Sequence, residues 1–553
     1  MNSEELMLED IKSRLKQLES NRERFVPRWI EAQNYVAPTV YDWHNLDSIP
    51  EIPKRYTSAP CDYLATLVSG LVGYSISPNI VWFKLSLENT KLLNLYGVKD
   101  FLEGCEETLL AEFNRSNLYS QAGVWIQDAA TIGHGVMLCS EDIANDKLRF
   151  TTMRSNEIYL DQNENGEIDT VFRKYLMTLR NAVEFFGLEK LDPQLQADYK
   201  EVNKWNNPVE ILHAVFPRAQ YNPEHKDAKN MPYASIYIDL KNNKVIEEGG
   251  YEENPFSVFE WQQLPGLAYS NSPAIAALPD IKILNVAKKT SMQIAQTSAE
   301  PPMRVSNSIR NINLVPRGFT YINTNDEVIE PIRTGENYPI TLDVVQQIQQ
   351  DIKDWFDVDF FLMLQQQAGN RTATEVMELQ GEKAAVLSNL IVALNGALSK
   401  IITRSFNLLM KNGKLPEVPE ALSSMNASMK IDFVGPLAQA QKKYHSMGGI
   451  AQALQMAQPI MQMFPNAGDF IDADQLMKHA MEGQGMPQRV IREDDDVQKL
   501  REERAQAKAQ AQQQAMQQEM MNNVMNKINL NEAPQNGSPM SEMQNQIAGS
   551  LPY

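Results

Sequence analysis

Two predicted helices on either side of a short polar break constrain this chain more than any other feature. The first is predicted for residues 341–364, where apolar residues recur on one helical face. Polar residues 365–371 interrupt the pattern, and the capping box of Thr372 and Glu375 starts a second helix that runs to residue 411. At about 1.5 Å per residue, this second helix is a rod on the order of 60 Å long. A rod of that length spans a small domain or lines one side of a larger ring.

The charge balance excludes one class of nucleic-acid protein. The chain has 553 residues, 51 basic and 70 acidic, and a net charge of −19. A protein that coats nucleic acid is basic, because neutralising phosphates supplies most of its affinity. An acidic surface instead suits a passage through which DNA slides. The three cysteines form no CxxC motif and are expected to be buried thiols in a reducing compartment.

The remaining pattern predicts an α+β protein. Alternating apolar and polar residues predict a hairpin around the turn at residues 161–166 and a second β-rich unit at residues 209–265. A helix opens at Ser272, and Pro279 is expected to kink it or to delay its start. Residues 494–528 favour a helix by composition but lack a clean apolar face, so this helix should need identical neighbours. Residues 531–553 are expected to be disordered.

A search for catalytic chemistry finds no enzyme signature. There is no phosphate-binding loop, no HExxH, no nucleophile elbow and no Cys/His metal spacing, so a motor ATPase is not expected. The sequence Gly133-His134-Gly135 is interpreted as a helix-ending turn rather than a catalytic loop. Glu493 and Asp494–Asp496 could hold a metal ion, as paired carboxylates do in nucleases, but nearby arginines favour a solvated helix start. We therefore expect no enzymatic activity, no cofactor and no metal site.

Three segments stand out as interaction features. The polar break can project as a loop or be an ordinary surface turn, and its candidate residues are Gln365, Gln366, Gln367, Asn370 and Arg371. An acidic stripe lies on the second long helix at Glu375, Glu378 and Glu382. Cations that can meet phosphate lie on the helix after Ser272, at Lys282, Lys288 and Lys289. For the stripe and the cations, a solvated helix face is the simpler interpretation.

Four stretches, in this order and spacing, carry a resemblance to a known family. They are Ser58-Ala59-Pro60 to Gly73, then Tyr269–Pro273 with Leu278–Lys282 and Leu284-Asn285, then Glu300-Pro301-Pro302, and finally Arg371–Val376. Over nearly its whole length the chain resembles the head-to-tail connector, or portal, proteins of short-tailed bacteriophages. The resemblance implies a portal fold with wing, stem, clip and crown, assembled as an oligomeric ring around a central channel.

The resemblance also implies a division of the chain. The implied parts are a wing at 1–178, a stem helix at 179–187, a clip at 188–271, a stem helix at 272–302, more wing and the tunnel loop at 303–370, a long helix toward the crown at 371–413, a crown with a helical barrel extension at 414–530, and a disordered tail at 531–553. In this scheme the polar break is the tunnel loop nearest DNA. The acidic stripe faces the channel, and the cations on the stem helix make weak contacts with DNA.

The function implied is a dodecameric ring at one capsid vertex, through which double-stranded DNA is packaged and ejected. Its implied partners are copies of itself, viral DNA, the terminase large subunit, major capsid and scaffolding proteins, and tail adaptor proteins, without a membrane. It would be made in the host cytoplasm and end in the virion, and the acidic N-terminus gives no sign of a signal peptide. Two alternatives remain: a structural adaptor ring that never contacts DNA, and a metal-dependent nucleic-acid enzyme built around Glu493.

Overall fold

The computed structural model describes residues 3–38, 42–51, 53–89, 92, 95, 97–221, 227–307, 309, 313, 328–332, 338–365, 387–423, 429–442, 474, 477 and 494–528. The chain divides into two compact units, Met1–Asp472 and Ala473–Tyr553. Helices and strands mix throughout the first unit, which agrees with the predicted α+β class.

The elements are numbered here along the chain. The helices are α1 (Ser3–Glu23), α2 (Val26–Val36), α3 (Ala59–Ser75), α4 (Val98–Arg115), α5 (Leu118–Ile132), α6 (Leu179–Phe186), α7 (Pro193–Asp198), α8 (Pro273–Ala276), α9 (Leu278–Ala299), α10 (Tyr338–Trp355), α11 (Val358–Gln365), α12 (Ser388–Lys411), α13 (Glu420–Ser423), α14 (Pro436–Lys442) and α15 (Asp494–Ile528). The strands are β1 (Phe83–Leu87), β2 (His134–Asp142), β3 (Lys147–Thr152), β4 (Ile158–Gln162), β5 (Ile168–Thr178), β6 (Pro208–Pro217), β7 (Tyr233–Asp239), β8 (Lys244–Tyr251), β9 (Phe256–Glu260), β10 (Met303–Val305), β11 (Ile329–Pro331) and β12 (Met429–Phe433).

The largest sheet is antiparallel, with the strand order β4-β5-β6-β7-β8. The predicted hairpin is confirmed as β4 and β5, whose turn carries Gly166 at φ 80°. Helix α1 covers this sheet because its apolar ridge of Ile11, Leu15 and Leu18 packs against Phe172 and its neighbours. The sheet therefore joins strands from both sides of the predicted boundary between wing and clip.

A second sheet begins where α5 ends. Gly133 closes α5 at φ 100°, so the predicted helix-ending turn is confirmed, and His134 is already the first residue of β2. β2 lies between β3 and β9 in a three-stranded antiparallel sheet. Gly133 is required here twice, because its φ is positive and an added Cβ would lie 2.0 Å from the Ser270 carbonyl oxygen.

The helix predicted from Ser272 is two helices. Ser272 caps the short α8, its hydroxyl accepting a hydrogen bond from the Ile275 amide at 3.1 Å. Pro279 then lies in the first turn of α9, where a missing amide hydrogen costs nothing. The expected delay of the long helix at Pro279 is confirmed.

The prediction of one continuous helix over residues 341–364 is wrong. α10 ends at Trp355 and α11 begins at Val358, with Asp357 between them at φ 49°. That left-handed residue turns the chain, so Phe356, Phe360 and Phe361 all reach the main core.

The second long helix is described from Ser388, as α12, and it ends near Lys411 as predicted. Its predicted start at Thr372 lies outside the described residues. α12 packs on the three-stranded sheet, where the Ser257 hydroxyl donates to the Ala397 carbonyl oxygen at 2.7 Å. Farther along the chain, β12 returns to pair antiparallel with β1. The main core therefore draws on helices from both ends of the first unit.

The second unit is described mainly through α15, a helix of 35 residues that matches the predicted 494–528. The Arg501 guanidinium binds both carboxylate oxygens of Asp474, at 2.6 and 2.7 Å. Met516, Met520 and Met521 on this helix are exposed. The predicted disordered tail at 531–553 lies outside the described residues.

Candidate functional site

The candidate site is a pair of long helices, α9 and α10, that pack against each other. Ile281 and Leu284 of α9 and Val345 and Ile352 of α10 belong to the main core and anchor the pair. The chain between the two helices includes the antiparallel pair of β10 and β11. We call α9, α10 and the chain between them the helical hairpin.

The contacts of α6 differ from those predicted for a stem helix. α6 lies on the five-stranded sheet, where Leu179, Ala182 and Phe186 join a small core with β5, β6 and β8. The reason is its length: its eight residues carry only one short apolar face, and the sheet covers it. The helix that packs along α9 is α10, which sequence reasoning placed in a different part of the protein.

The three predicted stem cations have different surroundings. The Lys282 ammonium forms an ion pair with Glu31 of α2 at 2.7 Å, and both side chains remain partly exposed. The Lys289 ammonium lies 5.7 Å from the centre of the Tyr56 ring, a cation–π contact. No ion pair involves Lys288 within the described part of the chain. Nearby, the Asn285 side chain accepts a hydrogen bond from the Tyr56 amide at 2.8 Å, so α9 also fixes this loop.

Most predicted DNA-facing residues lie outside the described residues. Gln365 is the last residue of α11, whereas Gln366, Gln367, Asn370 and Arg371 are not described, nor is the acidic stripe of Glu375, Glu378 and Glu382. The structure does show how α11 is held before this segment. An added Cβ on Gly70 of α3 would lie 2.1 Å from Cδ1 of Phe361. The Phe361 ring of α11 therefore packs directly on the backbone of α3.

The buried ionisable groups serve packing. His134 is fully buried between the rings of Trp29 and Tyr269, and neither ring nitrogen has a hydrogen-bond partner among the described residues. Burial, with the nearby Arg22 cation, lowers the pKa of His134 to about 3. Arg22 itself donates to the carbonyl oxygens of Asn156 and Ile158. An imidazole that stays neutral and closed to solvent is unsuited to proton transfer.

Glu106 is a further group that sequence reasoning missed. Its carboxylate accepts a hydrogen bond from the Leu85 amide at 2.6 Å and so holds β1 against α4. Burial raises the pKa of Glu106 to about 7. No motif could signal this role, because it depends on a strand folding back onto the helix.

The metal site predicted as an alternative falls at the start of α15. Glu493 lies outside the described residues, and Asp494–Asp496 form the first turn of α15. Among the residues that the structure describes, no group of three or more His, Cys, Asp or Glu side chains could hold a metal ion. In the same part of the chain, no helix is long and apolar enough to cross a membrane.

The described residues form a mixed helix-and-sheet fold with a long helical hairpin. Comparison with known families identifies the class of protein to which the chain belongs. Residues 8–491 match the family model for bacteriophage head to tail connecting protein, and the chain belongs to that family. The predicted resemblance to phage head-to-tail connectors is confirmed.

Individual relatives agree with this family. The chain is 29% identical over 511 residues to a protein of Salmonella phage epsilon15 named portal protein, with 90% of this chain and 91% of the relative covered. It is 25% identical over 514 residues to a probable portal protein of Bordetella phage BPP-1, with 89% and 90% covered. Among solved structures, the neck of an empty GTA particle, computed with C6 symmetry, covers 78% of this chain and 90% of its own at 11% identity and a TM-score of 0.37.

Proposed function

We propose that this protein is a phage portal: a dodecameric ring at one capsid vertex through which double-stranded DNA enters and leaves. The observation that carries the proposal is the family match over residues 8–491, with relatives named as portal proteins that align over about nine tenths of both chains. The role is structural rather than enzymatic. Terminase would supply the energy for packaging, and capsid, scaffolding and tail adaptor proteins would dock on the ring.

The charge of the chain supports the conduit role. A dodecamer of a chain with net charge −19 carries roughly −230 in total. A negatively charged channel repels phosphate and allows DNA to slide, with weak contacts from a few cations such as Arg371. In this proposal the segment 365–371 is the loop nearest DNA, and Glu375, Glu378 and Glu382 face the channel.

The contacts of the hairpin revise the predicted stem. We assign the stem to α9 and α10, because these are the long helices that pack together. The segment between them, residues 300–337, then takes the position of the clip in place of 188–271. Residues 179–187 become part of the sheet-bearing wing, since α6 lies on the five-stranded sheet. The crown and barrel assignment for 414–530 is kept.

The first experiment is the assembly state of the purified protein. Mass photometry, followed by negative-stain images with rotational averaging, is expected to show closed rings with a central hole. A monomer at every concentration tested would refute the proposal. Cryo-EM of particles then separates a conduit from an adaptor ring, since only a conduit shows density threading the hole.

The predicted loop is tested by deletion. Deleting Gln366–Asn370 is expected to leave rings intact and to reduce DNA packaging or retention in particles, because the loop is proposed to touch DNA and not to hold subunits together. The matched control deletes the five residues 541–545 of the predicted tail, and it should package normally. Full heads from the loop deletion, at the control level, would contradict the role of this loop.

A further inference from the structure

Each helix of the hairpin leaves an apolar ridge exposed. On α9 the ridge contains Ile283 and Val286, which are 53% and 61% exposed. On α10 the same face exposes Val344 and Trp355, both 49% exposed, with the polar residues Gln347 and Asp351 between them. Helices that pack at the surface of a monomer normally turn such ridges inward. Two exposed ridges on neighbouring helices therefore indicate a protein contact.

The charges around the two ridges have opposite signs. Lys289 continues the α9 ridge at the spacing of Ile283 and Val286, whereas the charge of Lys282 beside it is paired with Glu31 of the same subunit. On α10, Asp351 lies between Val344 and Trp355, seven residues after the first and four before the second. Its carboxylate accepts a hydrogen bond from the Gln347 side chain at 2.9 Å, and no ion pair involves it within the described ranges.

These signs decide which faces can meet. Two α9 faces brought together would oppose lysines, and two α10 faces would oppose aspartates, so a two-fold contact between like faces is disfavoured. An α9 face against an α10 face pairs opposite charges around a shared apolar strip. A contact between two different faces of identical subunits repeats from copy to copy, and it closes into a ring when the rotation allows.

We propose that the α9 face of one subunit docks on the α10 face of the next, with Lys289 placed against the Asp351 side of the neighbouring helix. The partner is a second copy of this chain. The inference rests on the proposed ring and names the surfaces that build it. It also gives the α9 lysines a role other than the predicted contact with DNA.

Charge reversal tests the pairing with the full-length protein. Lys289→Glu and Asp351→Lys each place like charges across the contact, and each should raise the concentration needed for ring formation at least tenfold. The double variant Lys289→Glu/Asp351→Lys restores opposite charges in every contact of a homogeneous ring, and it should form rings near the wild-type concentration. Lys200→Glu and Glu184→Lys, exposed reversals away from the hairpin, are the matched controls and should assemble normally.

The outcomes separate this inference from the proposed function. A wild-type protein that never forms rings refutes the portal proposal itself. If the wild type forms rings and the single variants assemble like the controls, the docking inference is overturned. The predicted contact of the α9 lysines with DNA then stands as before. A double variant that assembles no better than the singles also overturns it, because the two faces would then not meet. Circular dichroism checks the fold, and Lys289→Gln and Asp351→Asn replace any reversal that fails to fold, with a smaller shift in the same direction expected.

Discussion

The contact between Gly70 and Phe361 gives a sharp test of the packing that holds α11. An added Cβ at Gly70 would lie 2.1 Å from Cδ1 and 2.4 Å from Cγ of the fully buried Phe361 ring. Carbon atoms in favourable contact are about 3.5–4.0 Å apart, so the ring would have to move by more than an ångström. Gly73, on the same helix, has nothing within 4 Å of its added Cβ. The two glycines therefore form a matched pair.

The expected effects have opposite signs. Gly73→Ala should stabilise the protein by up to about 1 kcal/mol, because alanine favours the helix. Gly70→Ala gains the same helix propensity but overpacks the core, at a cost of about 1–3 kcal/mol. The two variants should thus differ by about 1–3 kcal/mol, with Gly70→Ala the less stable.

The assay combines urea unfolding with hydrogen exchange. Gly70→Ala should unfold at lower urea than Gly73→Ala, and exchange should speed up in α3 and α11 before the rest of the first unit. The double variant Gly70→Ala/Phe361→Leu should lose less stability than the two single changes added together, since the smaller side chain makes room for the methyl group. Equal stability of Gly70→Ala and Gly73→Ala would refute the reasoning.

Two further predictions concern single residues. Asp357→Gly should be more stable than Asp357→Ala by roughly 1 kcal/mol, because both variants lose the carboxylate but only glycine adopts φ 49° without strain; urea midpoints that rank the other way would contradict this. For Glu106, a folded pKa of about 7 above the ordinary 4.5 means that stability is full below pH 4.5 and falls as pH rises toward 7. Glu106→Gln keeps an acceptor for the Leu85 amide and should gain about 1–3 kcal/mol at pH 8 but little at pH 4.5. A gain that is the same at both pH values would exclude burial of the charge as its cause.

Local patterns predicted local structure well. Leu179–Phe186, the β4–β5 hairpin, the stop at Gly133 and the delayed start at Pro279 all follow from spacing and turn chemistry within a few residues. Each depends on side chains close in sequence, which is the information that periodicity contains.

Other features could not be predicted from the sequence, for physical reasons. The break at Asp357 leaves no trace in composition, since an aspartate in a left-handed conformation is selected by the core on either side and not by its neighbours. Gly70 is the place where α11 approaches α3, and a single glycine in a helical segment gives no sign of such a neighbour. The packing of α9 against α10 was not predicted, because pairing between distant helices depends on faces that meet only after folding. For the candidate site, the sequence predicted the helix that carries the α9 cations, but it did not predict that α10 exposes a face beside them.

The pairing of β1 with β12 has a consequence for synthesis. Phe83 and Phe433 are partners although 350 residues separate them along the chain. At 5–20 residues per second, a ribosome needs roughly 20–70 s to deliver the second strand after the first. During that time β1 lacks the strand with which it pairs in the described part of the chain. Fragments released before β12 emerges would leave β1 unpaired, and an unpaired strand is a template for association with other chains.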